Sequence, residues 1–104
     1  VMFEQGAANA ELGKILAATP AAKSEATTVP GRMIDPNGML PADRSVYRYM
    51  GSLTTPPCSE GVNWHVLKEP ITASAEQIAA FEKLMGDSAR PVRAINNRLV
   101  VAPE

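Results

Sequence analysis

One histidine, one cysteine and one tryptophan are all that the chain holds of those three residue types. His65 and Cys58 fall short of the three or four ligands that a zinc shell takes, so the chain alone offers no metal site. A hydrolytic triad is excluded as well, because a lone histidine without a Gly-x-Ser-x-Gly elbow leaves no nucleophile with its base. A Cys58–His65 pair is the one arrangement with nucleophilic chemistry, and it competes with the plain reading of a packed or half-exposed strand histidine. The seven glycines form no Gly-rich loop ahead of a helix, so no phosphate cradle is present. No basic run occurs, and a net charge of −1 with a pI near 5.8 argues against a nucleic-acid partner. No apolar run approaches the ~18 residues of a membrane-crossing helix. Cys58 has no internal disulfide partner; it is a small buried hydrophobe or half of a bridge to a partner elsewhere.

What is present is enough to fold. Hydrophobic residues make up 45% of the 104, which argues against disorder, and the length suits one domain. Val1-Met2-Phe3 opens apolar and mid-pattern, with no initiator methionine and no basic leader, and reads as the continuation of something upstream.

The most distinctive stretch runs from Gly51 to Trp64. Thr54 and Thr55 are followed by Pro56-Pro57, then by Cys58, and the stretch ends on Trp64. Each proline fixes its φ and removes a backbone donor, so Pro-Pro makes a stiff corner. An X-Pro bond can also be cis in such a turn. Two hydroxyls held on a stiff corner suit a ligand site, and they equally suit an ordinary turn. Leu53, Val62 and Trp64 add apolar surface within a few positions. Apolar walls with a few placed polar groups describe a small-molecule pocket, and they also describe core beside a turn.

The rest of the chain frames that corner. Val1–Glu4 reads as a short strand. Asn9 is a helix cap with Glu11 in the first turn, and Leu12, Ile15 and Leu16 share one face up to Thr19-Pro20. Residues 19–45 carry no periodicity, although Asp35-Pro36-Asn37-Gly38 is a strong turn signal. Such a long loop lies over a larger body or hides short elements. Val46–Met50 alternates, with both tyrosines on one face, and leads into the corner. Val62–Leu67 leaves it, with Val62, Trp64 and Val66 on one face and Asn63, His65 and Leu67 on the other. Ser74 and Gln77 form a capping box for a helix carrying Ile78, Phe81 and Leu84 or Met85, closed by Gly86. Leu99–Val101 forms a terminal strand.

The run Gly51-Ser52-Leu53-Thr54-Thr55-Pro56-Pro57-Cys58-Ser59-Glu60-Gly61-Val62-Asn63-Trp64, with Val66-Leu67-Lys68-Glu69-Pro70-Ile71 after it, resembles the signature of the α-class carbonic anhydrases. Asp35 to Pro41, Ser74 to Met85, Arg90-Pro91 and Asn97-Arg98 extend the likeness over nearly the whole chain. Cys58 and the short loop at 86–89 resemble the bacterial members. The resemblance implies an α+β fold: the C-terminal part of a large, mostly antiparallel twisted sheet with peripheral helices. It implies reversible hydration of carbon dioxide to bicarbonate by a zinc-bound hydroxide, with anions and sulfonamides as inhibitors. By that likeness Thr54 orients the hydroxide and Thr55 lines the substrate site. Leu53, Val62 and Trp64 form the apolar wall for carbon dioxide, and Pro56-Pro57 takes a cis bond.

Departures limit the carry-over. The family's three zinc histidines, the glutamate partner of its threonine, its shuttle histidine and the cysteine expected to bridge to Cys58 belong to segments upstream of residue 1. His65 falls on a position that is not a ligand. Residues 1–104 are therefore expected to be the C-terminal part of such a domain, inactive alone and without catalytic zinc. The alternative is an inactive fragment or zinc-free binding module that associates with the missing N-terminal part, or with a second copy through open strand edges. A half-bridge at Cys58 suggests a periplasmic or secreted protein.

Overall fold

Two separate sheets and two α-helices are found among the described residues. The structure, a computed structural model, describes residues 1–31 and 33–104. β1 (Phe3–Gln5) leads into α1 (Ala10–Ala18), and a 3₁₀ turn, Pro36–Met39, interrupts the long segment that follows. Next come β2 (Val46–Ser52), β3 (Glu60–Leu67), β4 (Ile71–Ala73), α2 (Ala75–Met85) and β5 (Val100–Val101). The larger sheet is antiparallel in the order β3-β2-β5, and the smaller pairs β1 with β4 in parallel.

Local chemistry accounts for the helices. The Asn9 side chain accepts the Leu12 N–H at 2.9 Å and starts α1, while the Thr19 N–H donates back to Leu16 to end it. Ser74 starts α2 through the full capping box, its hydroxyl accepting the Gln77 N–H at 3.2 Å. Gln77 Oε1 accepts from Ser74 N–H at 3.1 Å and from Asn9 N–H at 2.9 Å, and its Nε2 donates to Asn9 O at 2.7 Å. One side chain thus caps α2 and ties it to the start of α1. The 3₁₀ turn docks on the same knot: Asn9 Nδ2 donates to Gly38 O, and the Asp35 N–H donates to Glu11 Oε2. Lys14 Nζ donates to the other Glu11 oxygen at 2.7 Å.

The central hairpin follows its alternation. Val62, Trp64 and Val66 are half-buried and oppose Gly51, Tyr49 and Tyr47, while Asn63 and His65 are exposed on the other face. β2 runs two residues beyond Met50, into the start of the expected corner. There the ladder slips, Gly51 facing Val62 and Ser52 facing Glu60, so Gly61 is the extra residue of a bulge. Gly61 sits at φ 88°, a conformation that glycine enters without a Cβ clash.

One expectation needs correction: Leu84 and Met85 are 40% and 63% exposed, so the covered face of α2 ends near Phe81. Of the two readings of residues 19–45, the structure shows a short element, the 3₁₀ turn, with Asp35 as its cap. Ile71–Ala73 is a strand without a sequence signal of its own; three residues are too few to show a period, and the partner lies far back in the chain at β1.

Burial is sparse. Among the described residues the buried side chains are Leu12, Ala73 and Pro41. The accessible surface is 8274 Å², against about 5,700 Å² for a closed protein of 11.1 kDa. The radius of gyration is 16.1 Å, where about 13 Å is usual for this length. No helix among the described residues is long and apolar enough to cross a membrane.

Candidate functional site

The corner between β2 and β3 is held by its own backbone. The Leu53 N–H donates to Ser59 O at 2.9 Å, and the Cys58 N–H donates to Thr55 O at 2.8 Å. The Pro56–Pro57 bond is cis, as the resemblance implied, and Cys58 follows it at φ 56°. Thr54 and Thr55 are both exposed on this stiffened loop.

Trp64 fixes the corner to the sheet. Its Nε1–H donates to Ser52 O at 3.1 Å, one residue before Leu53. Its ring stacks on Tyr49, the residue opposite it in the ladder, with centroids 6.5 Å apart and planes 13° from parallel. Arg98 lies over Tyr49, its guanidinium carbon 5.6 Å from the centre of the ring. Arg98 also donates to the carbonyls of Ile95 and Ala94 at 2.8 and 3.2 Å, and to Met50 O at 3.4 Å. The C-terminal segment is thereby clipped against β2.

These contacts leave an open hollow of about 340 Å³. Thr54, Trp64, Tyr49 and Gly51 line its sheet side, and Arg90, Arg93 and Arg98 line the other. Of the residues expected at a site, Thr54 and Trp64 meet in this hollow. Val62 lies on the same strand face, opposite Gly51. Leu53 is 45% exposed, and neither it nor Thr55 lines the hollow. Sequence reading had noted Arg90 and Arg98 only as part of a likeness. No periodic element surrounds them, so nothing local signals that they come back to the corner.

The donor set does not make a metal centre. His65 is exposed, on the face of β3 away from Trp64, with Nδ1 at 3.2 Å from Asn63 O. Cys58 is a half-buried free thiol. Among the described residues no three of His, Cys, Asp and Glu come together. The residues of this chain therefore do not fit a zinc site, and no bond links Cys58 to His65.

The family model described as eukaryotic-type carbonic anhydrase matches residues 1–103. A carbonic anhydrase of Klebsiella pneumoniae is 48% identical over 102 residues, covering 97% of this chain and 41% of that protein. Carbonic anhydrase 3 of Homo sapiens is 34% identical, covering 98% of this chain and 44% of that protein. The α-carbonic anhydrase of Thermovibrio ammonificans, solved with the inhibitor sulfanilamide, superposes with a TM-score of 0.88 at 48% identity. That match covers 96% of this chain and 44% of that one. A hyperthermostable carbonic anhydrase from a hydrothermal vent chimney gives 0.90 at 42% identity, covering all of this chain and 46% of that one. The chain thus spans about two fifths of the length of the curated relatives it matches.

Proposed function

The chain belongs to the eukaryotic-type carbonic anhydrase family, and from that premise we propose that it carries the substrate side of a carbon dioxide hydration site. The reaction adds water to carbon dioxide and yields bicarbonate and a proton. The observation that carries the proposal is the meeting of Thr54 and Trp64 in one hollow beside the bulge at Gly61.

Each residue then has a task. The Thr54 hydroxyl both accepts and donates a hydrogen bond, so it can hold the attacking oxygen and aim its free lone pair. Its setting on a stiffened loop keeps that aim without reorganisation. Thr55, next along the loop, offers a second hydroxyl to the bicarbonate oxygen. Trp64 in the hollow, with Val62 on the same strand face and the exposed Leu53 next to Thr54, gives carbon dioxide an uncharged surface to rest on. An anion or a sulfonamide would occupy the same place.

Zinc enters only through the family. Its ligands would come from residues outside this chain, and no step assigned to Thr54, Thr55 or the apolar wall passes through it. The chain by itself is proposed to be inactive. Cys58, a free thiol on the corner, is proposed as half of a bridge in a periplasmic or secreted protein, which a mass shift on reduction would reveal.

The test is a chimera in which residues 1–104 replace the matching part of the Klebsiella pneumoniae relative. The chimera is expected to hydrate carbon dioxide. A folded, zinc-loaded chimera with no rate above background would contradict the proposal.

A further inference from the structure

The 3₁₀ turn on α1 contains the one Asn-Gly pair of the chain, Asn37-Gly38. Such a pair is chemically labile, because glycine has no Cβ to hinder its main-chain nitrogen from attacking the asparagine carboxamide. In that attack the Gly38 nitrogen bonds to Asn37 Cγ and gives its proton to water. The Cγ–Nδ2 bond breaks, and the side-chain nitrogen takes up a proton and leaves as ammonia. The product is a five-membered cyclic imide. Water then adds to one of its two carbonyls and opens it to aspartate or isoaspartate. Only water is consumed, so no oxidant or further enzyme enters.

The fold supplies both the lability and its restraint. Asn37 and Gly38 are exposed. The glycine is required by packing: a Cβ there would lie 2.5 Å from Glu11 Cγ, and any side chain would displace Glu11 or the turn. While the turn is docked, the reacting nitrogen is engaged, since the Gly38 N–H donates to Asp35 O at 3.0 Å. The Asn37 N–H donates to Asp35 Oδ1 at 3.0 Å and holds the residue in place. A 3₁₀ turn keeps ψ at roughly −20 to −30°, and ring closure requires Asn37 to leave that well. Three contacts keep the turn down. Asn9 Nδ2 donates to Gly38 O at 2.9 Å, the Asp35 N–H to Glu11 Oε2 at 2.9 Å, and Lys14 Nζ to Met33 O at 3.4 Å. We propose that Asn37 is a site of spontaneous deamidation, gated by release of the 3₁₀ turn from α1. The product resists redocking. A carboxylate at position 37 adds a like charge beside Asp35 and Glu11, and isoaspartate lengthens the main chain inside the turn.

The test incubates the chain at neutral pH beside a free peptide of the sequence Ile34 to Leu40. Peptide mapping by mass spectrometry reads the exchange of NH₂ for OH at each asparagine. Asn37 should convert ahead of Asn9, Asn63, Asn96 and Asn97, yet at least about tenfold more slowly than in the peptide. Glu11→Ala, which removes the acceptor of the Asp35 N–H, should speed conversion about fivefold. Asn9→Asp should speed it as well, because it keeps the oxygen that caps α1 and loses the donor to Gly38 O. Tyr49→Ala, which weakens the β2–β3 hairpin instead, should leave the rate as it is. Conversion of Asn37 at the peptide's rate, or no faster in both turn variants than in the unaltered chain, would overturn the gate. An equal rise in Tyr49→Ala would do the same, since the opening would then be global. Another asparagine converting first, or an Asn37 that stays intact in every variant while the peptide converts, would overturn the site.

Discussion

Tyr49 and Trp64 face each other across the β2–β3 ladder with their rings 6.5 Å apart, and Trp64 reaches on to hydrogen-bond Ser52 O. The pair joins the sheet to the threonine corner, so its loss should be felt at both. Tyr49→Ala should move Trp64 emission to longer wavelength and cost about 0.5–1.5 kcal/mol beyond the lost area. Tyr49→Phe keeps the stacked ring and should leave the emission in place. Because Trp64 is the only tryptophan, its fluorescence in the isolated chain reads this site alone.

Gly51 is where that pair admits no side chain. A Cβ there would lie 2.8 Å from Trp64 Cδ1 and 3.1 Å from Tyr49 Cε2. Both belong to rings held by their mutual stacking and by the Trp64–Ser52 hydrogen bond, so a shift of either disturbs those contacts. Gly51→Ala should therefore break the Trp64–Ser52 hydrogen bond and cost roughly 1–3 kcal/mol through overpacking. Unchanged Trp64 emission and an unchanged urea midpoint would count against this packing.

Gln77 caps one helix and holds another. Gln77→Ala removes the three bonds to Ser74 and Asn9 and should cost about 1–3 kcal/mol. Ser74→Ala, which removes one cap, should cost about 1 kcal/mol. The bonds to Asn9 are to its backbone N–H and carbonyl, so Gln77→Ala should also speed exchange of the Asn9 amide at the start of α1. An Asn9 amide that exchanges no faster in that variant would contradict the link between the helices.

Acid should loosen the 3₁₀ turn from α1. The hydrogen bond from Lys14, and then that from the Asp35 N–H, hold the Glu11 carboxyl below its ordinary value of 4.5. A carboxylate with a lowered folded pKa stabilises the fold above its unfolded value, and that contribution is lost as pH falls through the folded value. The change therefore belongs below pH 4.5. Asp43 behaves alike below 3.8, held down by the Ser45 hydroxyl and then by the Ser45 N–H. Glu11→Gln should flatten the titration of the Asp35 amide seen by NMR; a titration unchanged in that variant would contradict the assignment.

Sequence alone carried the features that are settled within a few residues. Asn9, the Ser74–Gln77 box and Gly86 mark helix ends by chemistry that acts over one turn, and each stands where it was expected. The alternation of Val62 to Leu67 is likewise local and survives in the burial of β3. The β1–β4 pairing was not legible, because both strands are three residues long and about two thirds of the chain separates them. Nor was the bulge: Gly61 reads as a turn glycine until the ladder shows which residue it leaves unopposed. At the site, the threonines and Trp64 were legible because the Pro-Pro corner isolates them. The arginines of the C-terminal segment were not, since their approach to Tyr49 depends on contacts made at long range. The exposed apolar faces follow the same logic, for a periodic pattern tells which side wants cover and not whether the chain supplies it.

The central claim is that Thr54 aims the attacking oxygen, and the most direct measurement is stopped-flow carbon dioxide hydration by the zinc-loaded chimera carrying Thr54→Ala or Thr54→Ser. The alanine variant is expected to lose about 10–100-fold in turnover with zinc still bound, a range for which carbonic anhydrases themselves are a standard example, while serine keeps most of the rate. Wild-type turnover in Thr54→Ala would contradict the account.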